Sequence, residues 1–159
     1  MKKIWFIAIV LLLLATCIVA AVHLENQEAI ACMVILQGDR RITVSFADLD
    51  RSSFSGSLTD GKGDVTSHAY TGILLRELLE EKGIDLSRCS GVTVTSADNY
   101  SVEFTKEEIL RENCVYVAIT ADGAKIAGID PGSDGVQIIV FGDANSRRCV
   151  RYARKITIK

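Results

Sequence analysis

Residues 70–100 constrain the fold more than any other part of this sequence. They predict a short amphipathic helix with Thr71 as its N-cap, ended by Gly83, the residue type that best accepts a left-handed backbone. A β-strand at residues 92–95 and a tight turn at Asp98-Asn99 follow. This order predicts a helix that covers a sheet with one broad apolar face, formed by Ile73, Leu74, Leu75, Leu78 and Leu79.

Most of the remaining pattern is typical of strands. Residues 32–36 and 41–46 predict a hairpin, and a capping box that starts at Thr105 predicts a second short helix. Residues 115–120 are the most apolar run and should form a central strand. Phe54 and Leu58 can anchor a strand within residues 52–63, residues 64–70 are expected to be extended, and further strands are predicted at residues 100–104, 135–141 and 150–158. The fold class is therefore α+β, a β-rich single domain with a few short helices.

The N-terminus predicts a membrane anchor. Residues 4–22 are 19 residues without a formal charge, which as a helix would be about 28 Å long and close to the thickness of a bilayer core. Lys2 and Lys3 precede this segment and favour an N-terminus inside the cell. We therefore expect a single-pass protein of the cell membrane with its domain on the extracytoplasmic side.

Two alternatives to an uncleaved anchor stay open. Ala20 and Ala21 offer a signal cleavage site, which would release a secreted domain, and Cys17 lies in a faint lipoprotein-like box. In every case residues 1–30 form the anchor or signal segment with a polar stalk, and residues 31–159 form the domain.

The composition argues against nucleic acid as a partner. The chain has 159 residues with 18 Lys and Arg against 20 Asp and Glu, a net charge of −2, and no basic cluster. Proteins that bind nucleic acid present a basic patch or stripe. Besides the membrane, the expected partner is a small ligand or an envelope protein.

Four motifs, in this order, resemble the oxidoreductase molybdopterin-binding domain family, which has the fold of sulfite oxidase and plant-type nitrate reductase. The resemblance covers about residues 34–159. The motifs are Tyr70-Thr71-Gly72-Ile73-Leu74-Leu75-Arg76-Glu77-Leu78-Leu79; Ser96-Ala97-Asp98-Asn99-Tyr100; Asp122-Gly123 with Asp130-Pro131-Gly132; and Arg148-Cys149-Val150-Arg151-Tyr152.

The resemblance implies a pterin cofactor with molybdenum, ligated by a protein thiolate from the segment before the central helix. That segment corresponds to residues 52–63 and contains no cysteine, only hydroxyl residues such as Ser55. A hydroxyl is a much poorer ligand for a soft metal site than a thiolate. We therefore predict no metal ligands and no resident cofactor, although molybdopterin remains possible by resemblance.

By resemblance, four residues are candidates for contact with a cofactor or other anion: Arg148, Arg151, Tyr100 and Ser55. For the two arginines, a solvated strand end is the competing interpretation. No catalytic residue is assigned, and His68 is interpreted as a surface or packing residue.

We expect a non-catalytic, membrane-tethered domain that binds a small ligand or partner. The alternative is a molybdenum-cofactor-dependent oxidoreductase with a degenerate metal site, for which Cys149 could supply the sulfur. A cysteine at the floor of a polar cavity would favour that alternative. Cys32, Cys89, Cys114 and Cys149 allow three disulfide connectivities outside the cytoplasm, or remain free.

Overall fold

The computed structural model describes residues 32–47 and 49–159, which form two β-sheets with short helices beside them. Strands β1–β6 are Cys32–Gln37, Arg40–Ser45, Ser52–Thr59, Val65–Leu74, Gly91–Ser96 and Ser101–Thr105. Strands β7–β10 are Val115–Ala121, Ala124–Lys125, Gln137–Val140 and Ala153–Ile158. Helix α1 is Leu75–Glu81, helix α2 is Lys106–Leu110, and single 3-10 turns lie at Leu86–Arg88 and Ser146–Arg148. This confirms the β-rich α+β class.

Sheet A has the strand order β2-β1-β10-β5-β6. Its β1–β2 hairpin turns at Gly38, whose φ of 56° suits glycine. The last strand, β10, lies between β1 and β5, parallel to β1 and antiparallel to β5. The chain end is therefore held in the middle of this sheet.

Sheet B has the order β3-β4-β7, with β8 and β9 both pairing with the other edge of β7. Strand β7 is central, as its apolar run predicts. A bulge between Thr71 and Gly72 interrupts its pairing with β4. A Cβ at Gly72 would clash with the backbone carbonyl of Val117, so the close approach of these strands requires glycine.

The main core lies between the two sheets and helix α1. Alternate residues of each strand point into it, as Val92 and Val94 do from sheet A and Val115 and Val117 from sheet B. Helix α1 adds its apolar face through the fully buried Leu75, Leu78 and Leu79.

A second, smaller cluster covers the opposite face of sheet B, which we call the outer face. Tyr70, Tyr116, Ala118 and Ile139 are buried there, and Phe54 and Phe141 pack against them half-buried. The ring of Phe54 stacks on that of Tyr116 with centroids 3.9 Å apart. Sheet B is thus apolar on both faces, which explains the continuous apolar runs in β7 and β9.

Most of the predicted turns are confirmed. Asn99 has a φ of 68° between β5 and β6, Asp122 and Gly123 turn β7 into β8, and Thr105 forms the predicted capping box with Glu108.

The predicted helix start is wrong. Thr71 lies inside β4, which pairs with β7 as far as Leu74, and helix α1 begins only at Leu75 without a side-chain cap. Ladder hydrogen bonds to β7 therefore hold residues 71–74 in the sheet, whereas the predicted end at Gly83, with a φ of 73°, is confirmed.

The predicted transmembrane helix at residues 4–22 lies outside the described residues. Within residues 32–47 and 49–159, no helix has the length and hydropathy that a membrane crossing needs. The four cysteines in this part of the chain are free thiols: Cys89 and Cys114 are buried, Cys149 is half-buried and Cys32 is exposed.

Candidate ligand-binding cleft

A polar cleft of about 350 Å³ opens on the outer face of sheet B, beside the aromatic cluster. Strands β3, β4, β7 and β9 and the segment before β10 all contribute to it. Its lining residues are Leu58, Asp60, Thr66, His68, Tyr70, Ala121, Asp122, Gln137, Ser146, Cys149 and Arg151.

Strand alternation aims these side chains into the cleft. Thr66, His68 and Tyr70 are successive even-numbered residues of β4 and share one face. Val150 bonds with Ile138 of β9 through both backbone groups, at 2.9 and 3.1 Å, and its side chain is fully buried in the main core. Its two neighbours in sequence, Cys149 and Arg151, line the cleft.

The imidazole of His68 is held by the carboxylate of Asp122, which lies in the turn between β7 and β8. Its Nδ1 lies 2.6 Å from Oδ2 of Asp122, and Oδ1 of Asp122 accepts the backbone N–H of Ala69 at 3.0 Å. The hydrogen bond with His68, followed by that with Ala69, lowers the pKa of Asp122. The Asp122 carboxylate is therefore ionised, with both of its oxygens in hydrogen bonds, and it fixes the orientation of the His68 ring.

Cys149 is held as a neutral thiol. Burial, the largest effect, raises the pKa of Cys149; the Val140 N–H that donates to its Sγ at 3.4 Å opposes this, and Asp143 adds to the rise. Burial likewise raises the pKa of Tyr70, whose ring stacks on Phe54 at 5.4 Å. Neither group is therefore activated as a nucleophile in this environment.

Only one of the four candidate site residues, Arg151, lines this cleft. Arg148 lies in a separate cluster: its Nη1 donates to Oε1 of Glu108 at 2.6 Å, its Nη2 donates to the carbonyl of Glu103 at 3.0 Å, and its guanidinium stacks over Phe104. The structure thus gives Arg148 a role in joining parts of the fold.

Tyr100 and Ser55 also lie apart from the cleft. The hydroxyl of Tyr100 donates to the carbonyl of Arg147 at 2.8 Å. Ser55 is exposed on the face of β3 opposite to Phe54, which belongs to the outer cluster. Cofactor binding by Arg148, Tyr100 and Ser55 stays a prediction.

The residues present do not fit a molybdenum centre of the implied type. Residues 52–63 offer no sulfur, and the Sγ of Cys149, which does line the cleft, lies in a different segment and accepts a hydrogen bond from the Val140 N–H of β9. In the described ranges, no three His, Cys, Asp or Glu side chains converge as a ligand set.

Sequence reasoning missed the pairing of His68 with Asp122. The two residues are 54 positions apart, and the interpretation of His68 as a surface residue took no account of the antiparallel partner of β4. The signal was present: His68 shares a strand face with Tyr70, and Asp122 forms the turn that follows the central strand.

Comparison with solved structures finds the same fold in a larger protein. The crystal structure of the sulfane dehydrogenase SoxCD from Paracoccus pantotrophus is similar to this chain, with a TM-score of 0.64 and 17% sequence identity. The match covers 80% of this chain and 38% of that chain, so this chain spans well under half of that protein's length. No family model and no curated protein matches the sequence. The likeness shows that this chain shares the fold of that dehydrogenase.

Proposed function

We propose that this chain is a membrane-tethered, extracytoplasmic binding domain that holds a small anionic ligand in the cleft on the outer face of sheet B and performs no molybdenum chemistry. The tether is residues 4–22, whose uncharged composition and length suit a single membrane crossing. The resemblance to an oxidoreductase supports the fold of this domain. The side chains that line the cleft determine which ligand it can bind.

The observation that carries the proposal is the charge arrangement in the cleft. Both carboxylates that line the cleft are already hydrogen-bonded within the chain. Asp122 bonds with His68 and with the Ala69 N–H, and Asp60 accepts the backbone N–H groups of Lys62 and Asp64. Arg151 lines the same cleft and makes no ion pair with any described residue. A guanidinium placed in this way is suited to bind a carboxylate, sulfate or phosphate group.

The binding test uses inorganic phosphate and sulfate as probes on the full chain. Arg151→Ala should abolish the thermal shift that these anions produce in the wild-type protein, because it removes the cation of the cleft. Arg147→Ala, an exposed arginine four residues earlier, is the matched control and should leave the shift unchanged. Equal shifts in the wild-type protein and Arg151→Ala would contradict the proposal.

A second candidate function is a molybdenum-cofactor-dependent oxidoreductase with a degenerate site. One observation favours it: Cys149 lines a polar cleft, the placement that a sulfur ligand would need. Metal analysis of the purified full chain separates the two. We expect no molybdenum and no pterin fluorescence after oxidation, whereas molybdenum near one per chain together with a pterin would establish the enzyme.

A further inference from the structure

Strand β3 forms an open edge of sheet B. All eight of its residues pair with β4, from Ser52 opposite Gly72 to Thr59 opposite Val65, and no other described strand pairs with it. The N–H and C=O groups of every second residue therefore point away from β4 and form a row that another strand could bond.

This edge lacks the features by which proteins normally prevent strand addition. Edge strands are usually short or carry charges, proline or a bulge. In sheet A the edge strand β2 begins with Arg40 and Arg41, and the edge strand β6 carries Glu103. In sheet B, β8 has only two residues. By contrast, β3 is eight residues long, uncharged and free of proline, with a regular register.

The sequence of β3 is complementary to itself about Gly56. If β3 pairs antiparallel with an identical strand so that Gly56 faces Gly56, then Phe54 faces Leu58 and Ser55 faces Ser57. Apolar residues thus meet on one face and hydroxyls on the other. A hydroxyl pair of this kind already exists within the chain, where the Oγ atoms of Ser57 and Ser67 are 2.7 Å apart.

The apolar face of such a pair would continue the outer cluster. Phe54 and Leu58 are only half-buried within one chain, although both pack on that cluster. Phe141 lies directly over Gly56, where any Cβ would clash with its ring, so the strand centre is bare backbone beneath an aromatic side chain. Pairing would cover Phe54 with the partner's leucine and bury more of both.

We propose that β3 is a self-association edge, at which a second copy of this chain pairs antiparallel about Gly56 and joins the two B sheets into one. The interface is isologous, because each copy uses the same strand. The proposal does not rest on the ligand proposed for the cleft, although Leu58 lines that cleft as well as the paired face of β3.

Register-specific crosslinking of the full chain tests this proposal. In the double variant Ser55→Cys/Ser57→Cys, the proposed register places the new thiol at position 55 opposite the new thiol at position 57 of the partner. Mild oxidation should therefore give a disulfide-linked dimer. The control Ser53→Cys/Ser55→Cys places two thiols at the same spacing on the same face. These thiols would face each other only if the two strands paired about Phe54 instead of Gly56. The control should crosslink at least tenfold less, and equal crosslinking of the two variants would overturn the proposed register.

A charge variant tests whether the edge drives association. Ser55→Lys/Ser57→Lys places lysines opposite lysines across the interface and should raise the dimer dissociation constant at least tenfold in sedimentation measurements. The matched control is Ser67→Lys/Ala69→Lys, which alters the β4 partners of the same two residues, one strand away from the edge. Circular dichroism checks that each variant folds. A chain that is monomeric at all concentrations, or a dimer unaffected by the edge lysines, would overturn the proposal.

Discussion

The guanidinium of Arg148 and the carboxylate of Glu108, 40 residues apart in sequence, are joined by a 2.6 Å hydrogen bond. The contact ties helix α2 to the segment that leads into β10. Asp143 lies 3.4 Å from the same nitrogen of Arg148, and the ring of Phe104 lies under the guanidinium. The structure thus places the basic residue of the fourth motif in a contact that holds two segments of the fold together.

Removing this arginine should destabilise the domain. Arg148→Met leaves Glu108 and the Glu103 carbonyl without their donor, and we expect a loss of about 1–3 kcal/mol in the free energy of unfolding. Urea denaturation measures the loss. Arg147→Met is the control, because Arg147 is exposed, and it should change stability by less than about 0.5 kcal/mol. Equal stabilities for the two variants would mean that the cluster contributes nothing.

The same pair should make stability depend on pH in the acid range. The hydrogen bond with Arg148 is the main cause of a lowered pKa for Glu108 in the folded protein. Because the folded pKa lies below the unfolded value of about 4.3, the stabilisation is complete above that value and is lost as the pH falls through the folded pKa.

The variant Glu108→Gln keeps the side chain's capping geometry but cannot ionise. The stability difference between the wild-type protein and Glu108→Gln should therefore be largest near pH 6 and shrink towards pH 3. Denaturation at a series of pH values measures it, and a difference that stays constant with pH would disprove the assignment.

Gly72 should tolerate no side chain. A Cβ there would meet the carbonyl oxygen of Val117 in the neighbouring strand, and backbone atoms of the central sheet cannot easily shift. We expect Gly72→Ala to cost about 3 kcal/mol or to prevent folding. Gly61→Ala is the matched control, because no atom lies within 4 Å of its Cβ position. Comparable melting temperatures for these variants would show that β4 and β7 lie further apart than described.

The thiol of Cys149 should react slowly with an alkylating agent. Burial raises its pKa, so little thiolate is present at pH 7.5, whereas Cys32 is exposed. Mass spectrometry after brief treatment with iodoacetamide should show Cys32 modified first and Cys149 much later, with the rate at Cys149 rising as the pH is raised. The Cys149→Ser variant identifies the modified peptide. Fast alkylation of Cys149 at pH 7.5 would instead indicate an activated sulfur and favour the enzymatic alternative.

Local signals in the sequence predicted much of the secondary structure. The turns at Asn99 and Asp122, the capping box at Thr105 and the stop at Gly83 depend on residues a few positions apart, so their chemistry is visible in the sequence. The start of helix α1 was mispredicted because the competing partner of residues 71–74 is β7, which lies more than 40 residues away. Helix-like spacing of apolar residues cannot reveal a ladder of that kind.

The sequence by itself determined the fold class, the alternation that places His68 and Tyr70 on one strand face, and the lack of a cysteine in residues 52–63. Only the tertiary structure decided that Arg151 and Cys149 reach one cleft while Arg148 is bound in an ion-pair cluster, and that His68 pairs with Asp122. The physical reason is distance along the chain. Strand period and turn chemistry are local, but a binding site is made where strands from distant segments meet, and that meeting is set by the packing of the two sheets.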